Sequence, residues 1–144
     1  MTVDSRQQKL NNGQIVAMWL QDTPGQPHPP AVAMAAILKE LSDPRVKTKQ
    51  IGNTLFEIIP GDDKHGFFKA FNADTGENFV ENSKKFVVWA KKSMGMQVLL
   101  TEFRGDEIMQ LFKVISKNPP MPGMGYQVLH MQSGATQIVL NLGD

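Results

Sequence analysis

Few places in this chain could do chemistry, and the most suggestive is the turn Asn72-Ala73-Asp74-Thr75-Gly76-Glu77-Asn78. It joins an apolar strand expected at Gly66–Phe71 to an amphipathic helix expected over Asn78–Lys92. A second apolar strand, Met96–Phe103, follows. A strand–helix–strand unit normally closes as a parallel pair through a right-handed crossover. The turn before the helix then lies at the carboxyl end of the first strand, where open sheets bind ligands. Gly76 would free the backbone to approach an anion, and a helix N-terminus favours negative charge. Asp74 and Glu77, however, carry negative charge of their own and are suited to capping the helix. His65 falls at an expected hairpin turn and His130 within an expected strand. Neither has a serine-nucleophile signature or a second ligand at metal spacing beside it, so no metal site is expected. The chain has no cysteine, which excludes thiolate, disulfide and zinc-thiolate chemistry.

The elements that must position these residues follow from periodicity and turn chemistry. The 144 residues suit one domain with a core that needs no staples. Gln14–Gln21 reads as a short helix stopped by Asp22-Thr23-Pro24-Gly25, after which TPGQPHPP forms a stiff connector. Ala31–Ser42 is a second helix with Met34, Ile37, Leu38 and Leu41 on one face. Strands are expected to begin near Ile51, with Asn53–Pro60 and Gly66–Phe71 as a hairpin. After the crossover helix, Gly95 provides a left-handed cap. A further helix is expected over Asp106–Ser116, and Tyr126–Gln132 and Thr136–Leu142 close the chain as a second hairpin around Ser133-Gly134-Ala135. The expected class is α+β, a single mixed and mostly antiparallel twisted sheet with helices packed on it, covering 1–144 as one domain.

Charge excludes some partners. Fifteen basic residues against 14 acidic ones leave +1, too little for a global field toward nucleic acid or an anionic membrane. Lys84, Lys85, Lys91 and Lys92 fit the solvated face of the crossover helix. The polar start MTVDSRQQKLNN and the short apolar runs suggest neither a signal peptide nor a membrane span, so a cytoplasmic protein is expected. Pro24, Pro27 and Pro30 of the connector, with Met121 and Met124 of the loop PPMPGMGY, offer an arm and an adaptable apolar surface for a protein partner or self-association.

From about residue 31 onward this order of elements resembles the GNAT-like acetyltransferase superfamily. It is similar in particular to divergent members encoded by tailed bacteriophages, through Leu55–Ile58, Trp89 on the crossover helix and Phe112 on the later helix. The resemblance implies a coenzyme A site at the turn, made by Phe71, Asp74, Thr75, Gly76 and Asn78. Of the family's phosphate motif only Gly76 is kept. Ala73 stands where Gln or Arg is usual, and Asn78 where a second small residue is usual. The resemblance also implies a base, for which Glu57 is best placed, and an acid. Phe112 holds the position of the usual tyrosine, leaving Tyr126, the only tyrosine, as the substitute. Glu57 alternates with Phe56 and Ile58, a pattern that reads as the solvent face of a strand. With the motif incomplete, the expectation is a non-catalytic binding or assembly protein without a cofactor, in a phage setting a virion or assembly component. The alternative is a divergent N-acetyltransferase dependent on acetyl-CoA.

Overall fold

The chain is described by a computed structural model over residues 9–22, 28–103, 117, 120–121, 123–132 and 134–143. Helix α1 (Asn12–Asp22) opens on a reciprocal cap. Asn11 Oδ1 accepts from the Gln14 N–H at 2.8 Å, and Gln14 Oε1 accepts from the Asn11 N–H at 2.9 Å. Two of the helix's orphan donors are thereby satisfied. Helix α2 (Pro30–Leu41) starts on Pro30, whose missing N–H is unused at that position. The long crossover helix α3 (Gly76–Lys92) is capped by Thr75 and ends before Gly95, which takes φ +72°.

Among the described residues six strands form one sheet. They are β1 (Lys47–Ile51), β2 (Thr54–Pro60), β3 (His65–Asn72), β4 (Val98–Phe103), β5 (Gly125–His130) and β6 (Thr136–Asn141), in the spatial order β1-β2-β3-β4-β6-β5. Four neighbouring pairs are antiparallel, and β3–β4, joined by α3, is parallel. The mixed α+β architecture expected from the sequence is the one observed. One strand was not expected: Lys47–Ile51 pairs with β2 through the two-residue turn Gly52-Asn53. The helix expected at 106–116 lies outside the described residues.

Both faces of the sheet's first half are covered, and this decides where the core sits. Phe56, Ile58, Phe68, Leu99, Ile138 and Leu140 point to α3, where Phe86, Val87 and Ala90 meet them. Phe56 and Phe86 stack at 4.3 Å between centroids. On the opposite face Leu55 and Phe71 join Ile15 and Val16 of α1, flanked by Met34, Ile37 and Leu41 of α2. Leu38, expected on the buried stripe, stays 41% exposed. Strand β2 is therefore buried on both sides from Thr54 to Ile58. That double cover gives Glu57 its unusual setting.

Candidate active site

Glu57 pairs with Lys69 across β2–β3, and both side chains belong to the α1–α2 face. The expectation of a solvent-facing glutamate is corrected here: the Glu57 side chain is 0% exposed, because the helices cover the face it points to. Among the described residues neither of its oxygens finds a hydrogen-bond donor. Lys69 Nζ stands 3.8 Å from Glu57 Oε1 but gives its hydrogen bonds to Glu40 of α2, at 3.0 and 3.1 Å. Burial disfavours the charged form of Glu57. Donation from its protonated carboxyl to Glu40, and the Glu40 charge, push the same way, and Lys69 opposes them only in part. The Glu57 carboxyl is pushed up to about 7. For Glu40, burial would raise the carboxyl, but hydrogen bonds from Glu57 and Lys69 outweigh it and hold Glu40 below its ordinary range. A carboxyl that changes charge near neutrality, hydrogen-bonded to nothing once ionised, is suited to take a proton.

On the far side of β3 the sheet opens. Parallel pairing between β3 and β4 covers only His65↔Val98, Gly66↔Leu99 and Phe67↔Leu100. Strand β3 then continues to Asn72 and β4 to Phe103 without pairing to each other. Past this opening β3 runs into the turn that starts α3. There Asp74 is the centre of a closed network. One carboxylate oxygen accepts from the Thr75 N–H and Asn78 Nδ2 at 3.2 and 3.0 Å. The other accepts from the Asn53 N–H and Asn82 Nδ2 at 3.0 and 3.1 Å. Thr54 Oγ1 donates to Asn72 Oδ1 and accepts from Asn82, tying β2, β3 and α3 together. Burial would raise the Asp74 carboxyl, but the bonds from Asn53, Asn78, Asn82 and Thr75 prevail and hold it below its usual range, so it is ionised at neutral pH.

Other expected site residues are placed elsewhere. Tyr126 lies on β5, paired with Leu140 and packed on the α3 side, with β3, β4 and β6 between it and the strand of Glu57. Glu57 and Tyr126 cannot share one site, because strand register sends them to opposite faces. Phe71 is buried, its ring edge-on to Trp19 at 5.0 Å, which makes it a core residue. Met121 is buried in the α3-side core and Met124 packs against that core, so the expected contact pair turns inward. Pro30 is exposed at the start of α2; Pro24, Pro27 and Phe112 lie outside the described residues. Among the described residues there is no cluster of His, Asp or Glu that could hold a metal ion. No helix among them is long and apolar enough to cross a membrane. Sequence reasoning missed Glu40 and Lys69 entirely. The only available signal was a glutamate inside the apolar run LFEII, where burial on both faces demands a charged partner.

No family model and no curated protein matches the sequence. Solved structures do match the fold. The N-acetyltransferase PseH of Campylobacter jejuni superposes with a TM-score of 0.58 at 12% identity, over 94% of each chain. The same enzyme in complex with acetyl coenzyme A gives 0.55 at 14%. An aminoglycoside 6'-acetyltransferase of type Ii gives 0.60 at 10% identity, covering 92% of this chain and 90% of that one. The chain has the GNAT-like acetyltransferase fold. A variant of the spermidine N-acetyltransferase SpeG of Vibrio cholerae, at 0.59 and 8% identity, supports the same assignment over 91% of this chain and 90% of that one.

Within the GNAT-like fold the coenzyme's two ends can be compared with the residues present. The opening between β3 and β4 leaves backbone of both strands unpaired with each other, which suits an extended thioester arm. The turn does not suit a diphosphate. Of its backbone donors, the Ala73, Asp74, Thr75, Asn78 and Phe79 N–H groups bond within the protein, leaving those of Gly76 and Glu77. The turn contains no cationic residue, and Asp74 and Glu77 give it two acidic ones.

Proposed function

We propose that this protein is a divergent N-acetyltransferase that moves an acetyl group from a thioester donor to an amine, with Glu57 as the general base. The donor supplies the activated acetyl group. The amine nitrogen bonds to the acetyl carbon as the thioester C–S bond breaks, Glu57 takes the proton that the nitrogen loses, and the thiolate leaves on the donor's arm and takes a proton from solvent. Lys69 stands close enough to stabilise the Glu57 charge without capturing it, and Glu40 holds Lys69 in that position. The observation that carries this is Glu57: a wholly buried carboxyl with no donor to either oxygen among the described residues, pushed to about 7, on the strand next to β3, whose far side parts from β4. Structural scaffolds rarely keep such a group, because an ionised carboxylate without donors costs stability. Support also comes from the likeness in fold to acetyltransferases, one of them solved with acetyl coenzyme A.

The test is acetylation of a panel of primary amines by the purified chain, with labelled acetyl-CoA and acetyl-pantetheine as donors. Glu57→Gln is expected to lower the rate by about 10²- to 10⁴-fold while the protein stays folded. Full activity in that variant would remove Glu57 from the reaction. A second reading, a binding or assembly protein, in a phage setting a virion component, is favoured by one observation: most of the turn's backbone donors are spent within the protein, beside the ionised Asp74. It predicts no transfer to any amine and a partner or self-association on sizing with mass analysis.

A further inference from the structure

The Asp74 network says how a thioester donor would be read, an inference that rests on the proposed transferase activity for its meaning. A diphosphate seat at the start of a helix needs free backbone N–H groups and a site without negative charge. Here most of those donors are already spent: Asp74 takes the Thr75 N–H, the Thr75 hydroxyl takes that of Asn78, and the Thr75 carbonyl takes that of Phe79. Asp74 takes four hydrogen bonds on its two oxygens and is ionised, as the four donors require. Its surroundings are closed as well. A Cβ on Gly52 would come within 2.9 Å of Asp74 Oδ2 and 3.0 Å of Asn82 Nδ2, so the backbone of the β1–β2 turn lies directly against the network. Leu10 is tied in too, its N–H donating to Asn53 Oδ1 at 2.9 Å. The carboxylate thus places a fixed negative charge at the start of α3, held from the β1–β2 turn, α3 and the turn itself.

We propose that the protein recognises its donor as an acyl-pantetheine thioester, and that the phosphates and nucleotide of coenzyme A add nothing to binding. The pantetheine arm and the acyl group meet the opening between β3 and β4. Among the described residues the diphosphate meets only the Gly76 and Glu77 N–H groups, on a turn that holds two acidic residues and no basic one. A donor lacking the nucleotide, either free acyl-pantetheine or the same group carried on a protein, is then used as well as acyl-CoA.

Calorimetry on the full chain with coenzyme A, pantetheine and adenosine 3',5'-bisphosphate separates the possibilities. Coenzyme A and pantetheine are expected to bind within about threefold of each other, little affected by salt because no phosphate is neutralised. The bisphosphate is expected not to bind at millimolar concentration. Coenzyme A binding a hundredfold or more tighter than pantetheine would overturn the proposal and leave the transferase reading standing. Failure of both to bind would overturn it together with that reading. Equal binding with no acetylation of any amine would uphold the inference about recognition and remove only the transferase. A phosphopantetheine carrier protein bearing an acetyl group, compared with free acetyl-pantetheine in the transfer assay, then distinguishes the two sources.

Discussion

Replacing Glu57 with Gln keeps the side chain's shape while removing the charge. The sign of its stability effect follows from linkage. The folded-state carboxyl titrates near 7 against an ordinary 4.5, so the folded protein holds this proton over a range in which the unfolded chain has lost it. Its contribution is therefore fully present below about 4.5 and is lost as pH rises through 7. At 1.36 kcal/mol per pH unit the gap amounts to about 3 kcal/mol at most. Glu57→Gln should match the wild type in urea unfolding at pH 4.5 and be more stable by about 1–3 kcal/mol at pH 8. A variant equally or less stable at both pH values would show that the site tolerates the ionised carboxyl. The transfer rate of the wild type should climb with pH through about 7 as the base loses its proton, a limb absent from the variant. The sequence did not disclose this residue's setting. Alternation with Phe56 and Ile58 marks a solvent face only when nothing covers that face, and α1 and α2 cover it.

At the scale of elements, Asp74 joins β2 and α3 through hydrogen bonds that its carboxylate alone can accept. Asp74→Ala leaves the Asn53 N–H and the Asn82 amide without their acceptor in a buried place. A loss of about 2–4 kcal/mol in urea unfolding is expected, from unmet donors around a removed buried charge. Asp74 also has the opposite pH signature to Glu57. Its carboxyl is held below the ordinary value, so its contribution is present above about 3.8 and disappears as pH falls through the depressed folded value. A variant within 0.5 kcal/mol of wild type at pH 7 would mean the network is ornamental. Most of these elements were legible: α2, α3 and both hairpins follow from apolar period and from Gly and Pro punctuation. Strand β1 was not, since KTKQI is an edge strand with hardly an apolar residue. It is held by backbone pairing to β2 and by Lys49 lying over Trp89 at 5.9 Å. Nor was the opening between β3 and β4 legible, because the point at which two parallel strands part depends on register, which composition does not record.

At the scale of the whole molecule, one sheet separates two apolar clusters, and each contains one of the chain's two tryptophans. Trp19 of α1 meets Phe71 on one side; Trp89 of α3 lies beside Phe86 on the other, at 6.1 Å between centroids. The clusters share β2, whose Leu55 belongs to one and whose Phe56 and Ile58 belong to the other. Neither helical layer can keep its partner surface if that strand leaves, so the chain should unfold as one cooperative unit. The two tryptophans can report this independently. Trp19→Phe and Trp89→Phe each leave a single fluorophore on one face and keep an aromatic ring in place. Corrected for their own small stability changes, the two variants should give coincident urea midpoints by fluorescence and by far-UV circular dichroism. A Trp19 signal lost at lower urea than the Trp89 signal would mean that the α1–α2 layer opens first. That layer covers Glu57, so such an early opening would also supply the route by which an amine reaches a base that is closed off in the folded resting state.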